Sequence, residues 1–250
     1  MRFGPLLALL TALLAAPAAA QETLKFRGYA YDLASGKFLY TELHEQKIVD
    51  QRWLGGSIAY FAPDGSELGR KTLDFSQDPF VPLYRLELKA RGGYMESIVA
   101  LTPERIEMAK REYGAPGVKR ASVKRPATVA ADSGFHVFIR DRFAQLLEGG
   151  DVNFVFAVAG NLDAYKFRAR RLADTTFEGR PAVRFRVEPG SLLRWLVDPL
   201  ELTYEVEQRK LLEYRGISNI HDPATGKAYN ARIIYPSKPP ADAPALRADL

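Results

Sequence analysis

Hydrophobic and polar residues alternate along much of this chain. Between residues 182 and 187, three apolar residues (Val183, Phe185, Val187) alternate with two arginines, Arg184 and Arg186. Such alternation places the apolar side chains on one face of a β-strand and the polar ones on the other, as in antiparallel sheets that cover a core. The same period of two occurs in segments 24–30, 164–172 and 200–206.

Short turn-forming sequences separate these segments, among them Asp64-Gly65 and Glu178-Gly179. Strands joined in sequence by tight turns form a meander, which commonly curls into a barrel, a partial barrel or a sandwich. We therefore predict a mainly β (α+β) fold, in which an antiparallel meander curls into a half-barrel or barrel.

One segment has the period of a helix instead. Five apolar residues between 135 and 147 fall on one helical stripe: Phe135, Phe138, Ile139, Phe143 and Leu146. Asp132 or Ser133 is placed to cap the start of this helix, and Gly149-Gly150 to end it. We predict one apolar helix here, packed across the sheet.

Two further segments are less regular. Residues 191–197 (SLLRWLV) predict a second, shorter helix that stops before Pro199. Residues 102–113 fit either a helix or a strand, because Thr102-Pro103 resembles a helix start while Ile106 and Met108 suit a strand.

The first twenty residues have the features of a signal peptide. Arg2 precedes an apolar stretch at 5–16, and Ala18-Ala19-Ala20 fits the cleavage rule, so Gln21 would begin the mature chain. The stretch is shorter than the roughly 20 residues that span a bilayer, and we predict no transmembrane span. We expect export, with the periplasm as the compartment.

The rest of the chain is expected to fold as a single β-rich domain at 21–235, followed by a disordered, proline-rich tail at 236–250. There is no cysteine, so the domain contains no disulfide and must be held by its core.

Charges of both signs are interspersed along the chain. Lysines and arginines number 35 against 30 aspartates and glutamates; without Arg2 the balance is 34 − 30 = +4. This small excess is a weak indication of a polyanionic partner, and we expect no nucleic acid to bind an exported protein.

The motif D-x-A-[S/T]-G-K occurs twice, at 32–37 and 222–227. A phosphate-binding loop needs an earlier glycine and a hydroxyl residue after the lysine, and both copies lack both features. We predict instead two hairpin turns, with Gly36 and Gly226 in the left-handed conformation.

The sequence gives no local signature of catalysis. The three histidines lie far apart with no second metal ligand at a recognisable spacing, and no G-x-S-x-G motif occurs. We assign no catalytic residue, metal ligand or cofactor. Aspartates and glutamates are plentiful, so a carboxylate pair stays open.

Basic residues concentrate on two predicted neighbouring strands: Lys166, Arg168 and Arg170 on one, Arg184 and Arg186 on the next. They would form either a surface for anionic membrane headgroups or a charge ladder with glutamates of the following strand (Glu201, Glu205, Glu207). We favour the ladder.

The chain has 14 phenylalanines and 12 tyrosines. These rings either fill the core or leave an apolar cavity between sheet and helix. In both cases we expect Ile139 and Phe143 of the helix to face Phe167, Phe185 and Tyr204 of the sheet, and these five are the candidate ligand-binding residues.

The run at 197–235, VDPLELTYEVEQRKLLEYRGISNIHDPATGKAYNARIIY, resembles a family of uncharacterised exported bacterial proteins. The predicted architecture is also similar to the half-barrel lipoprotein carriers of the bacterial envelope. These resemblances imply the fold and the compartment, and they imply no catalytic residue.

The leading hypothesis is a non-enzymatic envelope protein that binds a lipid or another apolar or amphipathic ligand in the half-barrel. The first alternative is an interaction or scaffold protein with a filled core, which uses its sheet edge or basic face. The second alternative is a hydrolase, which would need a buried cluster of titratable groups in a cleft.

Overall fold

The computed structural model describes residues 21–190 and 198–245. The first half of this region is a series of strands: β1 Gln21–Asp32, β2 Phe38–Val49, β3 Arg52–Phe61, β4 Glu67–Asp74, β5 Leu83–Leu88, β6 Tyr94–Leu101, β7 Arg105–Arg111, β8 Lys119–Lys124 and β9 Val129–Ala131. The remainder comprises α1 Gly134–Asp141, α2 Phe143–Leu147, β10 Val152–Val158, β11 Asp163–Phe177, β12 Arg180–Pro189, β13 Leu200–Glu205, β14 Leu211–His221 and β15 Ala228–Ile234.

The described strands form one sheet in the order β8-β7-β6-β5-β4-β3-β2-β1-β15-β14-β13-β12-β11-β10-β9. Two meanders, β1–β8 and β10–β15, therefore join side by side where β1 pairs with β15. These pairs are antiparallel except β9 with β10, which are parallel. β8 and β9 are the two edges, so the sheet is not closed, as expected for a half-barrel.

The period of two gives this sheet one buried face, as predicted. On β12, the apolar residues Val183, Phe185 and Val187 are all buried. All three lie opposite apolar residues of β13, namely Tyr204, Leu202 and Leu200 respectively. The intervening arginines point to the outer face.

The apolar helix packs over β10–β13, but it is broken into α1 and α2 at Arg142, whose φ of −95° and ψ of 11° are not helical. All five residues of the predicted stripe are buried. The predicted side-chain cap is wrong: Ser133 occupies the N-cap position without capping. Asp132 instead accepts hydrogen bonds from the Ser133 backbone N–H and hydroxyl.

The ambiguous segment 102–113 contains strand β7. Ile106 and Met108 lie on its buried face, and β7 pairs with both β6 and β8. Pairing on both sides outweighs the helix-like start at Thr102, whose side-chain oxygen accepts the backbone N–H of Arg105 in a turn. The second predicted helix, 191–197, lies outside the described residues.

Both D-x-A-[S/T]-G-K motifs are hairpin turns, as predicted. Gly36 and Gly226 each have a φ of 72°. Their backbone N–H groups donate to the carbonyls of Asp32 (2.9 Å) and Asp222 (2.7 Å). One turn joins β1 to β2, and the other joins β14 to β15.

The interior is divided into two apolar cores. The first lies under β1–β7 and the adjoining β14 and β15, and the second lies between the helices and β10–β13. Phe80, in the loop before β5, packs against both. The tail was predicted to be disordered; its described part, 236–245, forms no helix or strand, and Asp242 accepts a hydrogen bond from the hydroxyl of Tyr31 (3.0 Å).

Candidate functional site

The structure brings the five candidate ligand-binding residues together in the second core. Ile139, Phe143, Phe185 and Tyr204 are each no more than 2% exposed, and Phe167 is half-buried beside them. The ring centroid of Phe143 lies 5.3 Å from that of Phe185 and 5.9 Å from that of Tyr204, in both cases edge to face. These are the geometries that aromatic pairs prefer in packed cores.

Little space remains between these rings. A cavity of about 10 Å³ is bordered by Phe154, Phe156, Phe167 and Val187, among others. That volume is about the minimum that holds one water molecule. The five residues therefore form packed core in this conformation. Ligand binding at this position stays a prediction, and it requires the helices to move away from the sheet.

The imidazole of His136, a residue of α1, packs against Tyr204 of the same core. Its Nδ1 is 2.9 Å from the hydroxyl of Tyr204, and the two rings stack with centroids 5.5 Å apart. Burial, reinforced by the positive charge of Arg140, lowers the pKa of His136 to about 3. This histidine is therefore neutral at physiological pH and contributes a structural hydrogen bond.

An open groove of about 330 Å³ lies across β4, β5 and β6. Leu83, Ile98 and Val99 form apolar parts of its wall, and Arg85 and Ser97 are polar parts. The Ser97 hydroxyl is buried and has no hydrogen-bond partner among the described residues. The volume is at the lower limit of the range for ligand pockets, roughly 300–1,000 Å³.

The outer face of β11–β15 carries six arginines around three glutamates, and we call this surface the arginine face (Arg168, Arg170, Arg184, Arg186, Arg215 and Arg232 with Glu188, Glu201 and Glu213). The cross-strand register explains it. Arg170 lies opposite Arg186, Arg186 opposite Glu201, Glu201 opposite Arg215, and Arg215 opposite Arg232.

Each glutamate of the arginine face contacts two arginines. The shortest N···O distances are as follows: Glu188 to Arg168 2.5 Å and to Arg170 3.5 Å; Glu201 to Arg186 2.7 Å and to Arg184 3.6 Å; Glu213 to Arg232 2.6 Å and to Arg215 3.5 Å. Every triplet thus has one close and one distant arginine. The predicted ladder is present in part: Glu201 pairs with Arg184 and Arg186 as expected, whereas Glu205 pairs with Arg180. Arg168 and Arg170 pair with Glu188, which was not predicted.

The triplets leave a surplus of positive charge at the surface. Their glutamates are 12–20% exposed, whereas their arginines are 31–42% exposed. Asp151 neutralises one more charge by contacting Arg168 at 3.2 Å, which leaves 6 − 4 = +2. The carboxylates lie beneath the guanidinium groups, so the face that meets solvent is cationic.

Sequence reasoning missed a polar cluster beside the first core, which we call the interior polar cluster (Lys71, Tyr84, Tyr94, Glu96, Asp132 and Asn219). All of its side chains except that of Asn219 are buried. Lys71 Nζ lies 2.5 Å from Asp132 Oδ2. Glu96 accepts hydrogen bonds from the hydroxyls of Tyr84 (3.1 Å) and Tyr94 (2.7 Å). Burial raises the pKa of Glu96 and favours its protonated form.

A signal for this cluster was present in the sequence. In a strand, Lys71 falls on the same face as Gly69 and Leu73, and Glu96 falls on the same face as Tyr94 and Ile98. These are the inward-facing positions of the two strands. A charged residue at an apolar position of such a pattern indicates a buried partner, since an isolated buried charge is costly. The identity of that partner was not predictable, because Asp132 comes from a different part of the chain.

A second buried polar group involves Glu42, His44 and Tyr235. Glu42 Oε2 lies 2.8 Å from His44 Nε2 and accepts a hydrogen bond of 3.0 Å from the hydroxyl of Tyr235. Phe26 stacks on the imidazole with ring centroids 4.4 Å apart. The carboxylate and the imidazole are both buried, so this arrangement satisfies polar groups inside the core.

The described part of the chain offers no group of three or more histidines, aspartates and glutamates arranged to hold a metal ion. Within the same residues, no helix combines the length and the apolar character needed to cross a membrane. Comparisons with protein-family models, with curated proteins and with solved structures found no match to this chain.

Proposed function

We propose that this chain is an exported, non-enzymatic envelope protein that binds an anionic membrane surface through its arginine face. The observation that carries the proposal is the two-to-one ratio of arginine to glutamate in all three triplets. A purely structural ladder needs one arginine for each glutamate. The second arginine of each triplet lies 3.5–3.6 Å from its glutamate and has hydrogen-bonding capacity to spare.

Arginine suits this partner because its planar guanidinium group binds phosphate oxygens in pairs and keeps its charge at any physiological pH. The glutamates beneath the arginines restrict the side chains, which reduces the entropy lost when a headgroup binds. The face is therefore pre-organised for phosphate groups.

The extent of the face favours a surface over a single small anion. It crosses five strands, β11 to β15, and four spacings of about 4.8 Å give a width of about 19 Å. A face of that width contacts several headgroups at once, and each contact adds to the binding.

Vesicle flotation tests the proposal. We expect the wild-type protein to float with vesicles that contain phosphatidylglycerol and not with pure phosphatidylcholine, and we expect salt near 1 M to release it, because the Debye length falls to about 3 Å. The test variant removes the distant arginine of each triplet: Arg170→Gln, Arg184→Gln and Arg215→Gln.

The matched control removes the same charge from exposed arginines outside the face, with Arg52→Gln, Arg70→Gln and Arg120→Gln. We expect the test variant to lose most of its flotation and the control to retain it. Equal loss in both variants would show attraction by net charge alone, and would overturn the assignment to the arginine face.

A second candidate function is binding of a small amphipathic ligand, favoured by the groove on β4–β6. Its apolar wall, Arg85 and the unpartnered Ser97 hydroxyl suit a short chain with a polar head. A fluorescent fatty-acid probe tests it: Val99→Trp, which fills the groove, should abolish uptake by the folded protein. Unchanged uptake would place the ligand elsewhere.

A further inference from the structure

Lys71 and Asp132 meet inside the protein, although 61 positions separate them in sequence. Lys71 projects from the inner face of β4, and Asp132 immediately follows β9. Nζ lies 2.5 Å from Oδ2, and the two side chains are 6% and 2% exposed. The amine and the carboxyl group are thus held in contact, and little solvent reaches either of them.

The surroundings polarise the Asp132 carboxyl group from both sides. Asn219 donates from Nδ2 to Oδ2, at 3.1 Å. The other oxygen, Oδ1, accepts the backbone N–H of Ser133 at 2.6 Å and its hydroxyl at 2.8 Å. Donors at a carboxyl oxygen make its carbon more electrophilic, and they stabilise the negative charge that develops there during attack by a nucleophile.

A second carboxyl group lies beside Asp132. Asn219 Nδ2 also donates to Glu96 Oε1, at 2.8 Å, so the amide links the two carboxyl groups. Burial raises the pKa of Glu96, which disfavours a second negative charge beside Asp132.

A buried ion pair contributes little to stability, because the free energy of removing two charges from water offsets their mutual attraction. In a dry site, transfer of one proton from the ammonium to the carboxylate gives a neutral amine beside a neutral acid. The contact between Nζ and Oδ2 holds the amine beside the acyl group, and groups held together in this way react with very high effective concentrations.

We propose that Lys71 and Asp132 condense to form an intramolecular isopeptide bond. Nζ first transfers one proton to Oδ2. The neutral amine then attacks Asp132 Cγ and forms the C–N bond, while the Ser133 N–H and hydroxyl stabilise the negative charge that develops on Oδ1. The Cγ–Oδ2 bond then breaks. Oδ2, held by Asn219, leaves as water with the proton it received and a second proton from Nζ, so no oxidant or other reactant is needed.

The bond would join β4 covalently to the segment between β9 and α1, and so would fasten the edge of the sheet at β9. Asn219 is exposed, which gives the released water a route to solvent. This inference concerns the interior polar cluster only and holds whether or not the arginine face binds lipid.

Mass spectrometry of the intact, purified full chain and of its tryptic peptides tests the proposal. We expect the protein to be lighter by one water than its own sequence, with the N-terminus read from the peptide map. The peptides that contain Lys71 and Asp132 should be replaced by one branched peptide. An unlinked Lys71 peptide at full yield, or loss of water at another position, would overturn the proposal.

Two lysine variants compare loss of the reacting amine with loss of a neighbouring amine. Lys71→Arg keeps a positive charge at this position, but its guanidinium group does not form this amide, so the full mass should return in the folded variant. Lys110→Arg is the matched control, since Lys110 lies opposite Glu96 on β7 and its Nζ pairs with Glu112 at 2.8 Å. Its mass should stay one water low.

Asn219→Ala separates chemistry from packing, because Asn219 is exposed and contributes no apolar contact to either core. We expect a clear drop in the linked fraction while the folded content, read by circular dichroism, is unchanged. Complete linkage in that variant would overturn the assigned role of Asn219.

Discussion

Truncation of Phe143 to alanine removes a ring from the centre of the second core. Phe143 is 2% exposed, it packs edge to face with Phe185 and Tyr204, and the guanidinium carbon of Arg209 lies 5.5 Å from its ring centroid. Replacing a buried phenylalanine by alanine costs about 3–5 kcal/mol. With the loss of two aromatic pairs, we expect the upper half of that range, about 4–5 kcal/mol.

Urea denaturation followed by circular dichroism measures this loss. With a slope of about 3 kcal/mol per molar urea for a large domain, the midpoint should fall by more than about 1 M. Phe177→Ala is the matched control, because Phe177 is half-buried at the end of β11 and belongs to neither core. We expect Phe177→Ala to lower the free energy of unfolding by less than half as much as Phe143→Ala.

The same variant distinguishes a filled core from a ligand cavity. If Phe143 lined an open cavity, its truncation would remove fewer contacts and would change the uptake of a fluorescent fatty-acid probe. A loss below about 2 kcal/mol with an unchanged denaturant slope, together with probe uptake by the wild type, would refute the packing argument.

Four further outcomes are expected. Gly226→Val should destabilise more than Gly36→Val in thermal melts: both break a left-handed turn at about 1–3 kcal/mol, but only at Gly226 would a new Cβ meet side chains, 3.2 Å away. Replacing the lysine after either glycine by alanine should leave stability within about 0.5 kcal/mol. The pKa of His136 is about 3 in the folded protein and about 6.5 in the unfolded chain, so the free energy of unfolding should fall as the pH drops below about 6.5. The loss should be at most about 2 kcal/mol at pH 5. In urea titrations at several pH values, His136→Gln should reduce this pH dependence. N-terminal sequencing of exported protein should begin at Gln21; an intact Met1 would contradict signal cleavage.

The sequence by itself determined the features that depend on local periodicity and local backbone conformation. The alternation around Phe185 established which face of β12 is buried, because successive side chains of a strand point in opposite directions. The helical stripe from Phe135 to Leu146 identified the apolar segment over the sheet. Gly36 and Gly226 marked the two hairpins, because glycine adopts a positive φ without strain.

Other features are local in sequence but were decided by neighbours in space. Segment 102–113 became strand β7 because β6 and β8 both pair with it. No glycine or proline lies at Arg142, so the sequence does not predict the break between α1 and α2 there. In both places, packing outweighs the intrinsic preference of the segment.

Only the tertiary structure decided the polar sites, because their members come from distant parts of the chain. Glu213 meets Arg232 through the register of β14 and β15, and a shift of one residue would turn one of these side chains to the other face. Lys71 reaches Asp132 because the open sheet curls until β4 faces the segment after β9. Charge pairing selects such partners by distance in space, and a linear pattern does not encode that distance.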